Sequence, residues 1–138
     1  MISASGSITS HQLKHLVSNP VDLIPSQWVG KVIIVVSCVS RMIYGGSDAF
    51  QDNGGDGIQL TYGPQPIFQI CPVMGSQSIT AQSDQFAVNT SNANSSAGYA
   101  FSNSAGVYLN KLSGVNLSGN GSNDNTLSWQ IEYYIITI

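Results

Sequence analysis

Short apolar runs separated by turn-forming residues make up most of this chain. The run Val32–Val36 is apolar throughout and rich in β-branched side chains, and the pattern continues to Tyr44, just before Gly45-Gly46. The run is too short for a buried helix, so it predicts a buried strand. Gly57–Tyr62 alternates apolar and polar residues, which is typical of a half-buried strand.

The C-terminal segment TLSWQIEYYIITI has the clearest alternation. Every second residue from Leu127 to Ile135 is apolar, and the residues between them are polar as far as Glu132. This period of two predicts a strand with one face in the core. Tyr134 and Ile136 make the second face apolar as well, so we expect the end of this strand to be covered on both sides.

The remaining elements are shorter. Val21–Ile24 and Pro66–Pro72 are strand-like and bounded by prolines. Helical signals are confined to Thr9–Leu16 and, more weakly, Ser78–Val88. The polar, nearly low-complexity segment at residues 89–104 predicts a long surface loop.

Together these elements predict an all-β fold, a jelly-roll-like β-sandwich with one or two short helical turns. The length of 138 residues fits a single domain spanning residues 1–138. Within it we expect an N-terminal arm at about residues 1–10 and a polar surface loop at about residues 89–104.

The composition limits the classes of molecule that the protein is expected to bind. Charged residues are 8% of the chain, against about 25% in an average soluble domain. The cations are Lys14, Lys31, Arg41 and Lys111. They are too few to neutralise a run of phosphates, so we expect no nucleic-acid binding. A surface of neutral polar side chains lacks the charge repulsion that keeps monomers apart, which favours a homo-oligomer.

We expect neither a secretory signal nor a membrane segment. The first residues, MISASGSITS, lack a basic region and an apolar region. The longest apolar run is far shorter than the ~20 residues that a helix needs to span a bilayer. Without a signal, the default for Cys38 and Cys71 is two reduced thiols.

The Gly- and Asp-rich segment DAFQDNGGDG, at residues 48–57, has some features of a calcium loop. A loop that starts at Asp52 has glycines at its third and twelfth positions, Gly54 and Gly63, where oxygen ligands are required. Glycine permits positive φ and aspartate accepts hydrogen bonds in turns. The segment therefore favours a turn over a metal site.

The spacing of the two histidines raises the question of a zinc site. His11 and His15 are four residues apart and share one face of a helix, as two zinc ligands would. No third ligand is near in the sequence, and Lys14 stands between them. The interpretation favoured here is a solvated helical turn, so we predict no metal ligand and no cofactor.

The sequence offers no catalytic pair. The only two histidines lie in the N-terminal turn, and no G-x-S-x-G motif is present. Cys38 lies in an apolar strand with no evident base, which makes a poor thiolate. We therefore expect that the protein is not an enzyme and has no catalytic residues.

Two segments resemble those of small virion proteins of tailed bacteriophages. The first is PVDLIPSQWVGKVIIVVSCVSRMIYGGSDAF at residues 20–50, and the second is NDNTLSWQIEYYIIT at residues 123–137. Together with the N-terminal strand, these segments cover about half the chain, and residues 72–105 are not matched. Where the family often has Pro-Gly-Ala-Gly before the lysine, this chain has Ser26–Gly30, which includes Trp28.

The resemblance implies a structural virion protein, most similar to capsid decoration or cement proteins. Such proteins bind the outer surface of the phage head as dimers or trimers and join neighbouring major capsid subunits. It implies that the chain is made in the host cytoplasm and ends on the outer capsid surface of the virion. The major capsid protein and other copies of this chain would be its partners.

With a decoration role, we expect two regions of the chain to contact the capsid or another subunit. The residues expected to contact the capsid or another subunit are Ile2, Ile8, Leu13, Leu16 and Trp28. The first four were assigned to the N-terminal arm, so removal of Met1–Ser10 was expected to weaken attachment without unfolding the domain. The alternative is a fibre or tail-appendage module that binds host-surface glycan through Tyr99 and Phe101.

Overall fold

Ten strands and two short helices are present in the residues described by the computed structural model, which are 1–65, 68–91 and 105–138. The strands are β1 (Ile2–Ile8), β2 (Val21–Ile24), β3 (Lys31–Ile43), β4 (Phe50–Gln51), β5 (Ile58–Tyr62), β6 (Gln69–Met74), β7 (Gln85–Thr90), β8 (Val107–Asn110), β9 (Ser118–Gly119) and β10 (Thr126–Thr137). The helices are α1 (Ser10–Leu13) and α2 (Ser76–Ile79).

The strands form two four-stranded antiparallel sheets and one separate two-stranded antiparallel sheet. The first sheet has the order β1-β10-β3-β7, the second has the order β2-β8-β5-β6, and β4 pairs with β9. Counting only the strands of the two large sheets, these orders are 1-8-3-6 and 2-7-4-5. That arrangement is the jelly roll of two Greek keys, so the predicted fold class is confirmed.

The centre of the first sheet is the long pair β3 and β10. Their register runs from Thr126 opposite Ile43 to Thr137 opposite Lys31. It is interrupted once by a β-bulge, because β3 has one extra residue at Val36. β10 has the alternating pattern that the sequence predicted, and β3 contains the strand predicted at Val32–Val36, except that Val36 at the bulge is exposed instead of buried.

The core lies between the two large sheets. The buried apolar side chains of β3 and β10 meet those of β5, β6 and β8 in one continuous cluster. Two hydrogen bonds also cross between the sheets, from the Tyr62 hydroxyl to the Ile33 carbonyl at 2.9 Å and from Ser40 Oγ to the Val73 carbonyl at 2.8 Å. These bonds satisfy the polar atoms that would otherwise be buried alone.

The N-terminal residues do not form an arm. Ile2–Ile8 is the edge strand β1, which pairs with β10 along its whole length. The next residues are held by a capping box between Thr9 and Gln12 and by a bond from buried Ser10 Oγ to Asn120 Oδ1 at 2.7 Å. The predicted arm is therefore wrong, and removal of Met1–Ser10 would delete a strand and a buried hydrogen bond.

Three shorter predictions need correction. The β5 strand is buried on both faces instead of one, and the buried side chains of Gln59 and Thr61 donate to Asp56 O and Gly63 O in the residues that flank the strand. The second helical signal ends at Ile79, and most of the residues assigned to it belong to the turn before β7 and to β7 itself. The predicted polar loop starts later than residue 89, because β7 continues to Thr90.

Candidate functional site

The most exposed apolar side chains meet at one end of the first sheet. Trp28 is 84% exposed, Val29 is 83% exposed and Ile138 is 73% exposed. The turn that carries Trp28 is closed by a bond from Lys31 N to Trp28 O, and the Ile138 amide donates to the Gly30 carbonyl at 2.9 Å. We call Trp28, Val29 and Ile138 the apolar tip.

A second exposed apolar region lies on the outer face of the same sheet. Tyr134 and Ile136, on β10, are 45% and 44% exposed. The register pairs Val39 with Val88 and Arg41 with Phe86 on the same face. We call Tyr134, Ile136, Val39, Val88 and Phe86 the outer strip. The end of β10 is therefore open to solvent on this chain, and the expectation that both of its faces are covered is wrong.

The part of that outer face next to β1 is polar. Ser5 and Gln130 lie opposite each other on β1 and β10, and Gln130 Nε2 donates to Ser3 Oγ at 3.1 Å. Arg41 forms an exposed ion pair with Asp84 at 2.7 Å, and its guanidinium lies 5.4 Å from the centre of the Phe86 ring. Exposed pairs of this kind contribute little to stability.

The predicted contact residues fall into two groups. Ile8, Leu13 and Leu16 are 3%, 0% and 0% exposed and belong to the core of this chain. They cannot contact a neighbour, and the apolar pattern that suggested an arm instead reflects inward packing of β1 and the segment after it. Ile2 at 42% and Trp28 at 84% remain accessible.

The two residues of the glycan alternative, Tyr99 and Phe101, lie outside the described residues. Sequence analysis did not single out Val29, Ile138 or the outer strip. A signal was present for the strip, because the second face of β10 becomes apolar after Glu132. It was interpreted as a covered face, whereas the structure shows it uncovered.

The Gly- and Asp-rich segment encloses a buried lysine. Lys111 Nζ lies 2.6 Å from Asp52 Oδ1 and 2.5 Å from Asp56 Oδ1, and the Lys111 side chain is fully buried. Asp52 Oδ2 accepts from Gly57 N at 2.9 Å. Asp56 Oδ2 accepts from the amides of Leu112 and Ser113, both at 2.9 Å. The ammonium group therefore occupies the position between the two carboxylates where a bound cation would lie.

The charges in this cluster are stabilised by one another. Burial alone would raise the pKa of both carboxyls, but the hydrogen bonds from Lys111 and from backbone amides outweigh it. The pKa of Asp52 and that of Asp56 are therefore lowered from the ordinary value of 3.8. The cluster joins the β4–β5 loop to the end of β8 and is a structural feature of the fold.

A second polar cluster holds the turn before β10. Asn120 adopts a positive φ of 44° and is fully buried. Its side-chain amide donates to Asp48 O and Asp124 Oδ1, both at 2.8 Å, while its side-chain oxygen accepts from Asn125 N at 3.0 Å. Hydrogen bonds, first from Asn120 and then from Ser122 and Ser47, lower the pKa of Asp124.

Both cysteines are buried and unpaired. Burial raises the pKa of the Cys38 thiol to about 12, and the nearby Cys71 thiol adds to the rise. Burial also raises the pKa of Cys71 to about 11. Thiols with such values are protonated at neutral pH and are poor nucleophiles.

The described residues contain neither a cluster of metal ligands nor a helix that could span a membrane. Across residues 1–65, 68–91 and 105–138, no three or more His, Cys, Asp or Glu side chains lie close enough together to hold a metal ion. In the same residues, neither helix is long and apolar enough to cross a bilayer.

Comparisons with protein-family models, with curated protein sequences and with solved structures found no match to this chain. What the fold defines is therefore a class, an all-β sandwich with jelly-roll strand order. Within that class, the chain is distinguished by a charge-poor surface with the apolar tip at one end.

Proposed function

We propose that this chain is a structural protein of a tailed-bacteriophage virion, a capsid decoration or cement protein. It binds the outside of the head and stabilises contacts between major capsid subunits. It acts as a homo-oligomer, has no catalytic role and needs no cofactor. The sequence motifs at residues 20–50 and 123–137 motivate the phage assignment, and the jelly-roll fold is compatible with it.

The observation that carries the proposal is the exposure of Trp28. A tryptophan is costly to leave in water, and it is among the residues most enriched at the centres of protein interfaces. Here 84% of Trp28 is exposed, beside two further apolar side chains with more than 70% exposure. Three such neighbours on a chain with only 8% charged residues are best explained by a protein surface that covers them.

The proposed mechanism is physical rather than chemical. Each copy inserts the apolar tip into a recess at a seam between capsid subunits. One tip buries a modest area, and association carries an entropic cost. Oligomers with two or three tips engage several subunits at once, and this multivalency strengthens attachment without further contacts. The shell is thereby reinforced against the pressure of packaged DNA.

Binding to phage heads that lack this protein tests the proposal. Purified chain is mixed with such heads, and bound protein is measured after sedimentation. Trp28→Ala is expected to weaken binding by about tenfold or more, since interface tryptophans commonly contribute 2 kcal/mol or more. Val115→Ala, which changes another exposed apolar residue (42% exposed) away from the tip, is the control and is expected to bind as the unmodified chain does.

Equal binding of the unmodified chain and the Trp28→Ala variant would contradict the role of the tip. Failure of the unmodified chain to bind heads at any concentration would contradict the decoration function itself. In that case, adsorption of the chain to host cells would favour the glycan-binding appendage.

A further inference from the structure

The two histidines of the N-terminal segment are held together in space. The ring centroids of His11 and His15 are 4.2 Å apart, and the ring planes are tilted by 35°. The spacing of four residues places both side chains on one face of the helical turn. The opposite face contributes Leu13 and Leu16 to the core, so the histidine face points outward.

The orientation of His15 is fixed by the backbone. His15 Nδ1 lies 2.7 Å from the His11 carbonyl oxygen. A carbonyl oxygen can only accept, so Nδ1 is the donor and carries the hydrogen. In the neutral ring, Nε2 then has its lone pair available. Histidine ligands of metals commonly have this arrangement, in which the second ring nitrogen donates to a backbone carbonyl.

The cation that seemed to separate the histidines points elsewhere. Lys14 Nζ donates to the carbonyl oxygens of Gly119 and Asn120, both at 3.2 Å. It therefore does not place its charge beside the imidazoles. Of the two objections that the sequence raises against a cation at this site, the nearby lysine charge is removed by the structure, while the lack of a third protein ligand among the described residues stands.

There is room for an ion and its water ligands. The two histidines line an open cleft of about 400 Å³ together with Gln12, Asn19 and Pro20. The helical turn that carries His11 begins with a capping box between Thr9 and Gln12, which satisfies backbone groups at its start.

We propose that His11 and His15 bind one divalent transition-metal ion, each through one ring nitrogen. Imidazole suits Zn²⁺, Ni²⁺ and Cu²⁺, and Cu²⁺ is expected to bind most tightly of the three. Water completes the coordination in the isolated chain, because the described residues supply two protein ligands and no third. The site is therefore open, and a donor atom from another molecule can replace a water.

Calorimetric titration of the metal-free full chain with ZnCl₂, and separately with CuCl₂, tests this site. The expected result is one ion per chain with Cu²⁺ bound more tightly than Zn²⁺. His11→Ala and His15→Ala are each expected to weaken binding by about tenfold or more, because the advantage of two linked ligands is lost. Asp48→Asn is the control, since it removes a carboxylate that accepts hydrogen bonds from Gly121 N and Ser122 Oγ, and it is expected to leave metal binding unchanged.

Two results would overturn the proposal. One is equal affinity of the unmodified chain and either histidine variant; the other is loss of binding in Asp48→Asn. Circular dichroism of each variant establishes that it is folded. As a second readout on the unmodified chain, the ring-proton NMR signals of both histidines are expected to shift with Zn²⁺, and a shift of one ring alone would contradict shared ligation.

Discussion

The ammonium group of Lys111 lies 2.6 Å from Asp52 Oδ1, and neither side chain is exposed to solvent. Removing one partner of a buried pair leaves an uncompensated charge, which costs about 3–5 kcal/mol. Lys111→Met is therefore expected to lower the free energy of unfolding by about that amount, as measured by urea denaturation.

The matched variant for this prediction replaces the whole cluster. Lys111→Met combined with Asp52→Asn and Asp56→Asn removes all three charges. This triple variant is expected to be more stable than Lys111→Met alone, because no carboxylate remains unpaired. A single Lys111→Met variant with unchanged stability would contradict the account of the cluster.

Acid is expected to destabilise the fold through the same carboxylates. The folded-state pKa of Asp52 and that of Asp56 lie below the ordinary value of 3.8. Their contribution to stability is therefore fully present above the unfolded-state pKa and is lost as the pH falls through the folded-state pKa. The free energy of unfolding should decrease as the pH is lowered from about 5 to about 2. The decrease should be less steep in the triple variant. Identical slopes in the two proteins would assign the acid sensitivity to other groups.

Thiol labelling is expected to require unfolding. With pKa values of about 12 for Cys38 and about 11 for Cys71, the thiolate fraction at neutral pH is very small. Both side chains are also fully buried. In iodoacetamide at neutral pH, the native chain should remain unmodified over the time in which the urea-unfolded chain gains two alkyl groups, as seen by intact-mass measurement. Rapid alkylation of the native chain would show that the interior is open.

Two aromatic residues at opposite extremes of burial test whether Trp28 serves the fold. Phe50 is 1% exposed, so Phe50→Ala leaves a cavity. That substitution is expected to cost about 3–5 kcal/mol of unfolding free energy. Trp28→Ala is expected to change stability by less than about 0.5 kcal/mol, because the side chain packs against little. A large loss of stability in Trp28→Ala would mean that the residue has a structural role.

Two glycines with the same backbone geometry are expected to tolerate substitution differently. Gly55 and Gly57 have φ values of 70° and 66°. A methyl group at Gly55 meets no atom within 4 Å, whereas one at Gly57 overlaps the Met74 carbonyl oxygen. Gly55→Ala should cost about 1–2 kcal/mol from backbone strain alone. Gly57→Ala should cost about 3 kcal/mol or more, and equal costs in urea denaturation would contradict the packing of this loop.

The sequence predicts the strands well where one face of the strand is buried in the core. The alternation in β10 follows from the period of two in a strand, and the short apolar run in β3 is typical of a strand inside a fold. Their pairing in the middle of one sheet requires the whole topology, which no local pattern contains.

The predictions of exposure from the sequence fail mainly at polar residues that the fold buries. Thr61 and Gln59 look like an exposed face, but both are buried, and the carbonyl oxygens of Gly63 and Asp56 just outside the strand accept hydrogen bonds from them. Lys111 has no sequence feature that distinguishes it from a surface lysine, because both of its partners are more than fifty residues away. Ile8 and Leu13 were assigned to an interface because an apolar side chain does not itself indicate which surface will cover it.

The copy number of this chain in purified phage particles tests the central claim most directly. Quantitative mass spectrometry against the major capsid protein provides the ratio. The account predicts a ratio near one, or a simple large fraction of one, as expected for a regular lattice of decoration subunits. A few copies per particle, or none, would contradict it.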